Sequence, residues 1–175
     1  MDGSVKSAHG LARPHELTQS EVGLLTGGVD RPYAFGLAMA LLSRGVSLDF
    51  IGSDELDVPD LRVSPRLNFL NLRGSQQGNV RFWKKVSRVL VYYARLIRYA
   101  ALARPKVFHV LWNNKFELFD RTLLMLYYKL LGKKVVFTAH NVNAGQRDSQ
   151  DSALNRFTLR IQYRLPIISS FTRPR

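Results

Sequence analysis

The sequence predicts an α/β fold, a Rossmann-like parallel sheet with helices on both faces. Short apolar or β-branched runs of strand length alternate with longer stretches of helical periodicity. Those helical stretches are long enough to serve as right-handed βαβ crossovers. With 175 residues, 46% of them hydrophobic, the chain can bury one sizeable core, so one domain is expected.

Residues 1–20 read as a loose polar leader. Val22-Gly23-Leu24-Leu25-Thr26 is the first strand and Gly27-Gly28 a tight turn into a helix. Asp30 can cap that helix, Pro32 suits its first helical position, Leu37, Ala38, Leu41 and Leu42 give it a buried face, and Gly45 ends it. Val46 to Ile51 reads as the second strand. Gly52 to Pro65 is a polar, proline-containing connection with Asp54, Glu55, Asp57 and Asp60, and Leu67 to Leu72 is the third strand. A long helix over Val80 to Ala103 follows, then Lys106 to Trp112 as the fourth strand. Glu117 to Leu131 is a helix stopped by Gly132, and Lys134 to Thr138 is the fifth strand. Asp148 and Asp151 suit the cap of a helix beginning near Ser152. There is no internal repeat.

Composition excludes several classes of chemistry. The chain has no cysteine, which rules out disulfides and thiolate metal sites, and His9, His15, His109 and His140 are too scattered for a metal cluster. No paired-carboxylate DxD motif sits at a strand end, so no metal is expected. No segment has the apolar core of a signal peptide or the ~18 apolar residues of a spanning helix, so a cytoplasmic protein is expected.

The formal charge of +13 is unevenly placed, because no Asp or Glu occurs between Asp60 and Glu117. Within that stretch the long helix puts Phe82, Val86, Val89, Leu90, Tyr93, Leu96, Ile97 and Ala100 on one side. Arg81, Lys84, Lys85, Arg88, Arg95 and Arg98 line another, with Tyr92 and Tyr99. A solvated face and an anionic membrane surface with Trp83 at the interface both fit this pattern. Specific nucleic-acid binding fits less well, since no zinc-finger, RRM or helix-turn-helix signature accompanies the charge.

Two places concentrate polar groups at strand ends, where open α/β sheets bind ligands. The fifth strand runs into Thr138-Ala139-His140-Asn141; the competing reading is a core histidine bonded to a carbonyl. Gly27-Gly28 would let a backbone approach an anionic ligand, or simply make a tight turn. The pattern is neither GxGxxG nor GxxxxGK[ST], and Asp49 lies inside the second strand rather than at its end, which argues against a nicotinamide cofactor.

Thr26-Gly27-Gly28, the helix end Leu41-Leu42-Ser43-Arg44-Gly45, the strand Phe108-His109-Val110-Leu111-Trp112 and Thr138-Ala139-His140-Asn141 occur in an order that resembles the N-terminal domain of a GT-B glycosyltransferase. The retaining family 4 type is the nearest in pattern, and the likeness runs from about Val22 to Tyr163. It implies the acceptor-side Rossmann-like domain, at 21–165, of an enzyme that moves a sugar from a nucleotide-sugar to a glycan or lipid-linked acceptor. It implies His140 as a catalytic group near the transferred sugar. It also implies Gly27, Gly28 and, more weakly, Arg31 beside the donor diphosphate, and Asn113, Asn114 and Asn141 as acceptor contacts, with a turn-forming role as the competing reading of Asn113-Asn114. No cofactor is implied beyond the nucleotide-sugar substrate, and the expected location is the inner face of the membrane, with peripheral attachment.

The donor-binding domain of that family is missing, so transfer by this chain alone is not expected. Relatives continue past a segment like Ile161 to Leu165 with Ala-Asp-His-Ile-Phe-Val-His-Thr, whereas this chain reads PIISSFTRPR over 166–175. A one-base deletion in codons for the former yields the latter from Leu165 to Arg173. A frame-shifted, poorly ordered tail and the loss of the last strand are therefore expected. The alternative function is a non-catalytic basic α/β module that binds anionic membrane or a separate donor-domain subunit.

Overall fold

A computed structural model describes residues 20–27, 30–76, 81–113, 116–139, 152–164 and 168–171. Its sheet has six strands in the order β3-β2-β1-β4-β5-β6: β1 (Val22–Leu25), β2 (Leu48–Gly52), β3 (Leu67–Asn71), β4 (Val107–Val110), β5 (Lys134–Ala139) and β6 (Ile168–Phe171). Every neighbouring pair is parallel, so the expected Rossmann-like α/β fold is present. The order reverses direction at β1, from which β2 and β3 run one way and β4 to β6 the other.

Helix α1 (Arg31–Ser43) and the short α2 (Pro59–Arg62) connect the first three strands, and α3 (Phe82–Leu102) crosses back to β4. A helical rod then joins β4 to β5. It comprises α4 (Glu117–Phe119), a π-helical turn (Asp120–Leu124) and α5 (Met125–Leu130), and α6 (Ala153–Arg164) precedes β6. Two cores result. Leu24, Ala34, Ala38, Leu48 and Phe50 form the one beneath α1. Leu25, Tyr93, Leu96, Phe108, Tyr128 and Phe137 form the one beneath α3 and α5. Leu24 and Leu25 enter different cores because successive strand side chains point to opposite faces.

Local chemistry explains the element ends. The Asp30 carboxylate accepts the Tyr33 N–H at 3.1 Å and caps α1. At the other end Gly45 takes φ +81° and donates to the Leu42 carbonyl at 2.9 Å, while the Val46 N–H returns to Leu41 at 3.1 Å. Val46 is thus used in ending the helix, and β2 starts at Leu48 instead of Val46. The connection after β2 contains a 3₁₀ turn, Asp54–Leu56, as well as α2. Both are shorter than any periodicity the sequence can display.

Two expectations are corrected. Around α3, Phe82, Leu90 and Ile97 are exposed, while Tyr92 is buried and Tyr99 is half-buried. The apolar and aromatic arc of α3 is wider than one face, and the sheet takes the part where tyrosine hydroxyls find acceptors. Tyr93 donates to Asp120 at 2.9 Å and Tyr99 to Asp49 at 2.8 Å. At the other end of the chain the last strand is not lost, because Ile168–Phe171 pairs with β5 from Val136↔Ile168 to Ala139↔Phe171. A ladder of backbone hydrogen bonds accepts any strand-competent run, and an open β5 edge offers one.

Candidate functional site

The carboxyl ends of the strands bring together the polar loops. Thr26 closes β1 and is buried, its hydroxyl donating to the Ile51 carbonyl at 2.9 Å. Gly27 follows at φ +64°, and a Cβ there would lie 2.6 Å from Trp112 Cβ and 2.8 Å from the Trp112 carbonyl oxygen. This glycine is therefore required by the close packing of the β1 loop on the chain leaving β4, whatever else it touches. Its own carbonyl accepts from the Arg73 guanidinium, which also lies 5.3 Å from the centre of the Tyr92 ring.

Arg73 belongs to a loop after β3 that is tied down by polar contacts. The Asn71 amide donates to Asp54 and its oxygen accepts the Gly74 N–H at 2.8 Å. The Gln76 side chain donates to Ser53 at 2.8 Å and its N–H to Glu55 at 2.6 Å. Burial pushes the Glu55 carboxyl upward. The Gln76 and Glu55 N–H groups, the Ser53 hydroxyl and the charge of Arg73 outweigh it and hold the group below its ordinary value.

A small cavity opens under Gly27, lined by Trp112, Asn113, Tyr92, Asp120 and Tyr128 among others. Asp120 is buried in the π-helical turn, a distortion that recurs at functional sites, and receives the Tyr93 hydroxyl. Burial first, then the Asp120 charge, raises the Tyr93 hydroxyl well above its ordinary range. The Tyr128 hydroxyl is fully buried without a hydrogen-bond partner among the described residues, and burial raises it too. Asn113 faces α6, where it exchanges two amide hydrogen bonds with Gln162, at 2.9 and 3.4 Å.

Of the residues singled out from sequence, Gly27 and Asn113 lie at this edge, and Arg31 is exposed in the first turn of α1. Gly28, Asn114, His140 and Asn141 lie outside the described residues. Thr138, two positions before His140, is buried and within 2.8 Å of His109 Nε2 on the neighbouring strand. Arg81, Lys84, Lys85, Arg95 and Arg98 are exposed on α3 and Arg88 is half-buried there. Arg73, Asp120 and Tyr128 escaped the sequence reading. Arg73 carried one usable signal, its place just past the end of a strand; Asp120 and Tyr128 sit in an ordinary helical pattern. No helix among the described residues is long and apolar enough to cross a membrane. The chain matches no family model and no curated protein.

Proposed function

We propose that this chain carries the acceptor-side domain of a nucleotide-sugar glycosyltransferase. The observation that carries the reading is the Gly27 loop, which meets the Arg73 guanidinium at the switch point of a parallel sheet, where such folds bind ligands. Backbone groups and a guanidinium are suited to a diphosphate, and Arg73 is a better placed cation for it than Arg31. The resemblance assigns His140 to the transferred sugar, where a hydrogen bond to a sugar hydroxyl or to the departing diphosphate would offset developing charge. Asn113, with Gly28, Asn114 and Asn141 carried over from the resemblance, is assigned to acceptor and diphosphate contacts in the same reading. The acceptor is a polysaccharide end or a lipid-linked glycan, and the enzyme works at the inner membrane face.

Amide chemical shifts test this. Titration with inorganic diphosphate, the chemistry shared with a departing nucleoside diphosphate, is expected to move Gly27, Arg73 and Trp112 and to leave the opposite sheet end unmoved. Shifts confined to surface lysines and arginines would sink the reading.

One observation favours a second reading, a non-catalytic module that binds anionic membrane or a partner subunit. The basic residues of α3 adjoin exposed Phe82, Trp83 and Leu90 rather than a purely polar surface. That composition suits a membrane interface in either case.

A further inference from the structure

The outer surface of α3 and α5 carries apolar residues that the core does not use. On α3, Trp83, Leu90 and Ile97 recur every seven positions and are all exposed. On the rod, Leu123, Leu126 and Leu130 recur at intervals of three and four and are exposed as well. Trp83, Leu90, Leu123 and Leu130 have relative exposures of 79, 60, 61 and 77%. Tyr127 lies between the stripes, its hydroxyl donating to the Ile97 carbonyl at 3.3 Å, so the two stripes adjoin across the groove between the helices.

Charge frames this surface. Helical spacing sets Lys84, Arg95 and Arg98 on the flank of α3 away from α5, and Lys129 on the flank of α5 away from α3. No Asp or Glu occurs from Arg81 to Leu102 or from Arg121 to Lys134. An apolar strip bordered on both sides by cations and lacking anions complements an anionic bilayer, with a tryptophan suited to the headgroup level. A second copy of the chain would bring like charges together at a formal charge of +13 each.

We infer that α3 and the rod that includes α5 together form one membrane-contacting surface, in which Leu123, Leu126 and Leu130 enter the acyl region and the flanking cations meet lipid phosphates. This rests on the membrane-surface reading of α3 and adds to it a second helix that has no basic stripe of its own. Both helices run alongside the strands, as βαβ crossovers require. A bilayer on their outer side therefore leaves the strand carboxyl ends open at its margin, within reach of a lipid headgroup.

The test is sedimentation of the full chain with phosphatidylcholine vesicles, with and without phosphatidylglycerol, at low and high salt. The chain is expected to bind the anionic vesicles. Leu123→Gln/Leu126→Gln/Leu130→Gln is expected to weaken binding about tenfold or more at unchanged charge and with an unchanged thermal melt. Leu130→Gln alone gives a smaller loss if the triple variant does not fold. Arg95→Glu/Arg98→Glu is expected to remove most of the binding and most of its salt dependence. Loss in the arginine variant with wild-type binding in the leucine variants overturns the two-helix surface and leaves α3 as the sole contact. Absence of binding by the unmodified chain overturns both. A leucine variant that instead converts a dimer to a monomer, with no vesicle binding by either, assigns the surface to a second copy and overturns the inference.

Discussion

The two ends of the same sheet treat buried polar groups in opposite ways. Near the amino end, Asp49 in β2 accepts from Ser20 at 2.7 Å, Asn68 at 3.0 Å and Tyr99 at 2.8 Å, so a buried carboxylate is fully enclosed by donors. The network joins α3 to the sheet, and Gly23 makes room for it: a Cβ there would lie 3.0 Å from the Tyr99 hydroxyl. At the carboxyl end, the Tyr128 hydroxyl is buried beside a small cavity with no hydrogen-bond partner among the described residues. Saturated polar networks fix a fold, whereas polar groups left on a cavity keep bonding capacity for something else. The difference separates the end that stabilises from the end that can bind.

The largest expected effect tests whether the binding end is also rigid. Gly27→Ala forces a Cβ into Trp112 at a backbone angle that L residues avoid, and should cost about 3 kcal/mol. A chemical-denaturation midpoint within error of the unmodified chain would mean that the loop yields, and that close packing does not fix its shape. Asp49→Ala comes next. It leaves the half-buried Tyr99 hydroxyl and the Asn68 amide without their acceptor, at about 2 to 3 kcal/mol. The same change should leave amide shifts at Gly27 and Arg73 in place, because the two ends share no polar contact among those described.

Two tyrosine substitutions put the comparison in one measurement. Tyr99→Phe removes a hydroxyl that donates to a buried carboxylate and should destabilise by about 1 to 2 kcal/mol. Tyr128→Phe removes a buried hydroxyl with no partner among the described residues and should be neutral or stabilise by up to about 1 kcal/mol. Equal losses in thermal or urea unfolding would mean that the Tyr128 hydroxyl bonds to something in solution, and the cavity would then hold a structural water.

The alternation of strands and helices, the Asp30 cap and the Gly45 stop were legible because each depends on residues within one turn or one strand. The buried side of α3 was legible only in part: Tyr93, Leu96 and Ala100 are buried as expected, whereas Phe82, Leu90 and Ile97 are not. Its aromatic and apolar residues occupy more than one face, and the choice between arcs was made by Asp49 and Asp120, which are 50 and 27 positions from their tyrosine partners. At the site, Gly27 could be picked from its place between a strand and a helix, but the tryptophan that requires it lies on β4's exit. Arg73 had only its place just past a strand to mark it among many basic neighbours, and only the fold sets it under the Gly27 carbonyl. The strand at Ile168–Phe171 was misjudged for a related reason: the β5 edge it pairs with lies far back in the chain, from Val136 to Ala139.

The smallest expected effect concerns pH and the loop that carries Arg73. The Glu55 carboxyl is held below its ordinary value in the folded chain by N–H donors, the Ser53 hydroxyl and the Arg73 charge, against the opposing effect of burial. A lowered folded value means that the charged form is the one the loop stabilises. The contribution is therefore complete above the unfolded value, near 4.5, and disappears as pH falls through the folded value. Because Glu55 is exposed, the effect on global stability should be slight and screened by salt. Its local signature should be clearer, since the Gln76 N–H loses a charged acceptor at 2.6 Å. Faster hydrogen exchange at Gln76 below about pH 4, corrected for intrinsic exchange and absent in Glu55→Gln, is the expected result. If Gln76 instead exchanges at one corrected rate across that range, the loop at the binding end is held by Asn71 and Ser53, and the charge of Glu55 has no part in placing Arg73.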